Sequence, residues 1–268
     1  MDLLGKKVLV AGCGKSGLGA AGLLQKAGAV PVLFDENEKL DGKALCARED
    51  YPKDTALVLG SLPKELLSEL SLAVLSPGIS IEEAFVSTLE EADIPVWGEI
   101  ELAWNYEKGK VLAITGTNGK TTTTTLVGEI MKRYQDNTFV VGNIGTPYTQ
   151  EVLKTDKDSV TVAEISSFQL ETAVHFHPTV SAILNITPDH LNRHHTMAPD
   201  GVQRLRMQHE QLLPGQRLRR PVPRGKQVRS GPVHRSDAAQ CLSRQNGVDH
   251  RTHLLPAYAQ HFDSAIRA

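Results

Sequence analysis

The stretch Val111-Leu112-Ala113-Ile114-Thr115-Gly116-Thr117-Asn118-Gly119-Lys120-Thr121-Thr122 decides how this chain is read. An apolar run ends in a glycine-bearing turn, the turn ends in Gly-Lys-Thr, and an amphipathic run follows from Leu126 to Met131. Strand, turn and helix in that order build a loop that cradles phosphates. Glycines let backbone N–H groups approach an oligophosphate with no Cβ in the way, and the next helix points the positive end of its dipole at the anion. Lys120 is then placed to reach the β- and γ-phosphates, and the Thr121 hydroxyl to ligate Mg2+. Gly116, Thr117, Asn118, Gly119, Lys120, Thr121 and Thr122 form the candidate ATP-binding set. The common form of such a loop starts with glycine, where this chain has Ile114, so the match is to a variant. An ordinary strand–turn–helix corner is the competing reading. The threonine run Thr121 to Thr125 speaks against it, because β-branched residues open a helix poorly on propensity alone.

A chain of 268 residues is long enough for two domains with cores of their own. The net charge of −2 demands neither a nucleic acid nor a membrane as partner. Cys13, Cys46 and Cys241 are too scattered for a disulfide framework or a metal cluster, and they suit a reducing cytosol. The first residues are too short and polar for a signal peptide, and no apolar run reaches about 18 residues. A cytoplasmic protein is the expectation.

The averages hide a break. Residues 1–197 hold 14 Lys and 3 Arg, whereas residues 198–268 hold 1 Lys and 11 Arg. Past Met197-Ala198-Pro199 no run of period 2 or 3.6 stands out, and prolines recur at 214, 221, 223, 232 and 256. One reading is a basic disordered tail for acidic partners. The other is a segment not selected to fold with the rest, as after a frameshift.

Upstream of the phosphate loop, Lys7 to Ala11 reads as a buried strand, Gly12-Cys13-Gly14-Lys15-Ser16-Gly17 as a turn, and Leu18 to Ala27 as a helix. A second strand runs from Val30 to Phe34 and meets Asp35, 23 residues after Gly12. On pattern this is a Rossmann dinucleotide unit, although the same turn serves any nucleotide or merely packs a helix on a strand. Strands are further expected at Ala56 to Leu59, Leu72 to Leu75 and Ile94 to Trp97, and helices at Ile81 to Ala92 and Glu99 to Tyr106. Ser76 and Gly78 fall at a strand's carboxyl end, where open α/β sheets bind ligands. Lys108-Gly109-Lys110 reads as a linker.

Beyond the loop, strands are expected at Thr138 to Val141, Val160 to Ile165 and Val180 to Ile186, and a parallel sheet follows from helical pieces between them. The strands lead into Gly142-Asn143-Ile144-Gly145, Glu164 and Thr187-Pro188-Asp189-His190. Glu164 alone reads equally as a helix-start carboxylate and His190 as a structural histidine. A phosphate loop, a carboxylate and an imidazole at strand ends of one sheet converge on one crevice, and hard oxygen ligands around a triphosphate suit Mg2+.

Taken together, Gly116 to Thr121, Gly142 to Gly145, Glu164-Ile165-Ser166-Ser167-Phe168-Gln169-Leu170 and Asn185-Ile186-Thr187-Pro188-Asp189-His190 resemble the Mur ligase family. Ser76-Pro77-Gly78-Ile79 and Gly98-Glu99-Ile100-Glu101-Leu102 agree, and the likeness covers about residues 1–197. Ser-Ser-Phe-Gln-Leu resembles the branch that adds D-glutamate. The resemblance implies a Rossmann-like, UDP-substrate-binding domain over 1–107 and part of a P-loop-type ATP-binding domain with a parallel sheet over 108–197. An Arg-rich tail without family likeness follows over 198–268. It implies a monomeric peptidoglycan-precursor ligase using ATP and Mg2+, with UDP-N-acetylmuramoyl-L-alanine and D-glutamate as substrates and an acyl phosphate as intermediate. It implies Lys120, Glu164 and His190 as catalytic residues, and Thr121, Glu164 and His190 as metal ligands. It implies Lys15, Ser16, Glu36, Asn37, Ser76, Gly78 and Asn143 as the UDP-substrate site, so the Gly12–Gly17 turn grips UDP rather than NAD.

The family carries a carbamylated lysine past the histidine, where this chain reads Gln203-Arg204-Leu205-Arg206, and no lysine lies between Lys157 and Lys226. It also has a third domain, for which this chain is too short. The likeness stops where the Lys/Arg ratio flips, which favours the frameshift reading and a truncated copy with little or no ligase activity. A non-catalytic nucleotide-binding protein is the alternative. An NAD-dependent oxidoreductase leaves the Lys120 loop unexplained.

Overall fold

The computed structural model of the chain describes residues 1–143 and 145–187. Apolar β-branched runs punctuated by glycine give two parallel sheets with helices between their strands, an α/β architecture.

The first sheet holds β1 (Lys7–Ala11), β2 (Val30–Asp35), β3 (Ala56–Leu59), β4 (Leu70–Leu75) and β5 (Val96–Gly98) in the order β3-β2-β1-β4-β5. Helices α1 (Lys15–Lys26), α2 (Gly42–Cys46), α3 (Lys64–Leu67) and α4 (Ala84–Glu91) connect them, and α5 (Glu99–Trp104) follows β5. β1 has no polar face: Val8 and Val10 join one apolar cluster, while Leu9 and Ala11 join another on the opposite side. A central strand of a sheet covered on both faces has that character. The order in which strands are added reverses between β1 and β4, and at such a switch point the carboxyl ends of the parallel strands leave a crevice. The Gly12 turn and Ser76 stand there, and Ser76 N donates to Ala11 O at 3.0 Å.

The second sheet holds β6 (Lys110–Thr115), β7 (Thr138–Gly142), β8 (Val160–Glu164) and β9 (Val180–Ile183) in the order β7-β8-β6-β9. Between them lie α6 (Lys120–Tyr134), α7 (Tyr148–Glu151) and α8 (Ser167–Leu170). The larger apolar cluster runs without interruption from Val8 and Leu24 through Ile100 and Leu102 to Val111, Tyr148 and Ala163. Residues on α5 and α7 thus share one core with both sheets.

Local chemistry moves several boundaries from where periodicity alone puts them. Ser80 Oγ accepts from Glu82 N at 3.2 Å, which turns the chain before α4 and delays its start to Ala84. β9 stops at Ile183, not Ile186, because Asn185 and Thr187 turn to bind the phosphate loop. Lys110 belongs to β6 rather than to a linker, and the Glu107 carboxylate accepts from Lys108 N and Gly109 N at 2.9 and 2.7 Å. The threonines Thr121 to Thr125 lie within α6 despite their propensity. Leu126, expected on its apolar face, is 59% exposed, since Thr124, Gly128 and Met131 form the buried side and Leu126, two residues from Thr124 and from Gly128, falls on the opposite side. His190 and the tail over 198–268 lie outside the described residues.

Candidate functional site

Two sets of strand ends carry the candidate residues. In the second sheet, the register pairs Glu164 with Ile114 of β6 on one side and with Gly142 of β7 on the other. Glu164 therefore ends β8 between the loops that leave its neighbours, and it is not a helix-start residue. Ser166 is the N-cap of α8 and forms a capping box with Gln169. One oxygen of the buried Glu164 carboxylate accepts from the Thr121 hydroxyl at 2.9 Å, and the other accepts from Asn143 Nδ2 at 2.9 Å. Gly142, at φ +112°, makes this approach possible: a Cβ there would collide with the backbone carbonyl of Glu164.

The phosphate loop is held from below by the chain leaving β9. Thr117 N donates to Asn185 O at 3.0 Å, and Asn118 N donates to Asn185 Oδ1 at 2.8 Å. Asn185 Nδ2 returns a bond to Asn118 O at 2.8 Å. Thr187 N donates to Thr117 Oγ1 at 2.9 Å. Gly119 caps α6 in the left-handed region at φ +83°. The Lys120 ammonium bends back onto its own loop, donating to Gly116 O at 2.8 Å and Thr117 O at 3.1 Å. The first amides of a helix have no carbonyl of their own helix to bond, so the start of α6 offers N–H groups and a cation at one place. The Thr121 hydroxyl and Glu164 are the oxygen donors that a hard cation would meet beside them.

Asn185 and Thr187 belong to a motif quoted from the sequence, but neither was given a role there. Both lie in the stretch whose reading centred on His190, and an asparagine near the end of an otherwise apolar run was the signal.

At the first sheet, Gly12 has φ +96°, and Gly17 packs α1 so closely on the turn that a Cβ would run into Gly12 O. Asp35 does not stand free for a ribose. Its carboxylate accepts from Cys13 N at 3.0 Å and from Asn37 N at 3.1 Å, bracing the glycine turn. Burial, and Asp35 beside it, push the Cys13 thiol up to about 12. The Ser76 hydroxyl is buried against Gly12 and has no hydrogen-bond partner among the described residues. Glu36 and Asn37 are exposed just past β2, and partial burial together with Glu83 and Asp35 raises the Glu36 carboxyl above its usual range. Gly78 is exposed with open space where a Cβ would be. Ser16 is half-buried in the first turn of α1. Lys15 reaches across to the other sheet's loops, donating to Gly145 O at 2.6 Å, two residues from Asn143.

The structure thus brings Thr121, Glu164 and Asn143 together beside Lys120, and gathers Ser76 and the Gly12–Gly17 turn at a separate crevice rim. His190 lies outside the described residues. Among the described residues no cluster of three or more His, Cys, Asp or Glu is placed to hold a metal, and no helix is long and apolar enough to cross a membrane.

Comparison with known proteins bears on both strand-end sets. Residues 6–98 match the Mur ligase MurD-like, N-terminal domain, and residues 114–199 match the Mur ligase middle domain. A UDP-N-acetylmuramoylalanine--D-glutamate ligase from Lachnospira eligens is 61% identical over 197 residues, covering 74% of this chain and 44% of that protein. A protein of the same description from Lachnoclostridium phytofermentans is 60% identical over 199 residues, covering 74% and 43%. The one from Caldicellulosiruptor saccharolyticus is 48% identical over 198 residues, covering 74% and 44%. The chain spans less than half the length of these relatives. The two family matches take in both sheets, the glycine turn, the phosphate loop and Glu164, and by them this chain belongs to the Mur ligase family.

Proposed function

We propose that this chain carries the UDP-substrate and ATP sites of a cytoplasmic, monomeric ligase that adds D-glutamate to UDP-N-acetylmuramoyl-L-alanine in peptidoglycan precursor synthesis. The observation that carries this reading is the Thr121–Glu164–Asn143 group, bonded at 2.9 Å on both sides and set beside the Lys120 loop. Residues 1–107 are the substrate half and 108–197 the nucleotide half. The reaction passes the terminal phosphoryl group of ATP to the substrate carboxylate, and the amine of D-glutamate then displaces phosphate from the acyl phosphate to form the amide.

Each residue has a task that its surroundings support. Lys120 rests on two neutral carbonyls, weaker partners for an ammonium than phosphate oxygens, so it exchanges them when the nucleotide arrives. Gly116 to Thr122 surround the phosphates. Thr121 and Glu164 would hold one Mg2+, which supplies charge neutralisation at the phosphates. One hydroxyl and one carboxylate make a sparse set, and such a set fits Mg2+, which keeps waters and phosphate oxygens as its other ligands. His190 would serve a second Mg2+. Ser76, whose buried hydroxyl lacks a partner, would bond the diphosphate with Lys15 and Ser16, while Glu36, Asn37 and Gly78 line the uridine side. Asn143, bonded to Glu164 within the nucleotide half, would contact the sugar substrate. Because no lysine lies between Lys157 and Lys226, the chain by itself turns over slowly or not at all.

Titration calorimetry of the purified chain tests this. The expected result is Mg2+-dependent binding of a β,γ-imido ATP analogue, Mg2+-independent binding of UDP, and no phosphate release on adding D-glutamate with ATP. Stabilisation by NADH without any response to ATP or UDP would overturn the assignment.

A further inference from the structure

Glu99 opens α5 immediately after β5, and it is 2% exposed. A carboxylate at that depth is costly, and packing alone would be served better by an apolar side chain. What surrounds it is a set of donors. Its Oε1 accepts from Thr149 N at 3.4 Å and from Thr149 Oγ1 at 3.3 Å. Its Oε2 accepts from Gln169 Nε2 at 3.0 Å. Gln169 in turn accepts, through Oε1, from Ser166 N at 2.9 Å and Ser166 Oγ at 3.1 Å.

These partners belong to two loops that matter. Thr149 stands in α7, which closes the loop carrying Asn143. Ser166 and Gln169 close the loop that begins after Glu164. Asn143 and Glu164 are bonded to each other at the front of the site, so the connections form a closed ring. It runs from Glu99 through Thr149 to Asn143, across to Glu164, and back through Ser166 and Gln169. We infer that Glu99 is a positioning residue: from behind, it fixes the spacing between the Asn143 and Glu164 loops. Loops at strand ends are otherwise the least constrained part of a sheet, and a site needs its groups held to within about 0.5 Å. The carboxylate is suited to this because all three of its partners donate, and only an acceptor with two oxygens satisfies both loops at once.

That Glu99 acts on Mg2+ binding rests on the function proposed above; that it sets the loop spacing does not. A charge-conserving swap separates the two. In Glu99→Gln, one side of the new amide presents N–H to a donor, so one loop loses its anchor. Gln169→Glu sets a second carboxylate against Glu99. In the double variant Glu99→Gln/Gln169→Glu the polarity simply reverses. The new glutamine accepts from Thr149 and donates to the new glutamate, which still accepts from Ser166.

Hydrogen exchange of the ligand-free chain reads the spacing directly. Each single variant is expected to speed exchange in segments 143–149 and 165–170 and to leave β1 and β2 unchanged, and the double variant is expected to restore protection. Calorimetry with Mg2+ and the β,γ-imido ATP analogue reads the consequence. Each single variant is expected to weaken Mg2+-dependent binding about tenfold, the scale of an outer-shell loss, with UDP binding intact and with recovery in the double variant. Exchange that rises equally across both sheets, or a double variant no better than the singles, would overturn the positioning role. A wild-type chain that shows no Mg2+-dependent nucleotide binding sinks the proposed function alone, since the exchange pattern still decides the ring.

Discussion

The chain builds the same corner twice, strand into glycine turn into helix, and uses the two corners differently. At Gly12–Gly17 the glycines serve approach: α1 lies against the turn through Gly17, the Cys13 amide is already taken by Asp35, and the polar group left over is the neutral Ser76 hydroxyl just past the neighbouring strand. At Gly116–Thr121 the glycines serve charge. The cap residue is left-handed, the loop amides are braced by Asn185, and a hydroxyl and a carboxylate bond each other beside a lysine folded onto the same loop. A glycine pattern therefore specifies a backbone path, and the side chains arriving from adjacent strands decide what the path is for.

The comparison can be broken most severely at Gly17. Gly17→Ala forces a Cβ into the Gly12 carbonyl, a backbone group that cannot step aside, and should cost about 3 kcal/mol or more. Gly14→Ala meets nothing within 4 Å and serves as the control. Thermal melting of the two variants reads the difference, and equal melting temperatures would show that the close approach is dispensable. The next effect is at the charged corner. Lys120→Ala should weaken binding of the Mg2+–nucleotide analogue about 10- to 100-fold, the scale of one or two charge-assisted hydrogen bonds, while UDP binding stays as it was. Loss of both together would mean that the corners are not independent.

Ser76→Ala should be gentler. The free chain loses no bond and is expected to be as stable as wild type or slightly more so, since a buried unpaired hydroxyl is removed. UDP affinity should fall about fivefold, roughly 1 kcal/mol, and an unchanged affinity would remove Ser76 from that site. The smallest effect is in pH dependence. Burial raises the Glu99 carboxyl above its usual range, against the lowering influence of the Thr149 and Gln169 hydrogen bonds. A raised acid contributes its full stability below the unfolded value of about 4.3 and loses it as pH climbs through the folded value. Melting temperatures of wild type minus Glu99→Gln should thus be largest at the acid end and shrink toward neutral pH; a gap that widens with pH would refute it.

Much of the second corner was legible in residue order. Glu164, Asn143 and Lys120 each follow an apolar run, and parallel strands place all their carboxyl ends on one edge. What order alone did not give was pairing. That Glu164 sits between β6 and β7, and so bonds Thr121 on one side and Asn143 on the other, follows from the strand order β7-β8-β6-β9. Asp35 makes the same point. Its spacing from Gly12 suits a ribose acid, yet the closeness of the β1 and β2 tips turns it onto the Cys13 amide.

By itself, then, the sequence determined the main strands, turns and longer helices, which residues stand at the strand ends, and which family the pattern belongs to, because hydrophobic period and turn chemistry are local properties of the chain. Only the tertiary structure decided which of those end residues touch, that Asn185 braces the phosphate loop, and that Glu99 ties two loops together from 50 and 70 residues away. Those contacts depend on strand order and register, which are settled by burying both sheets in one shared core rather than by any single stretch of residues.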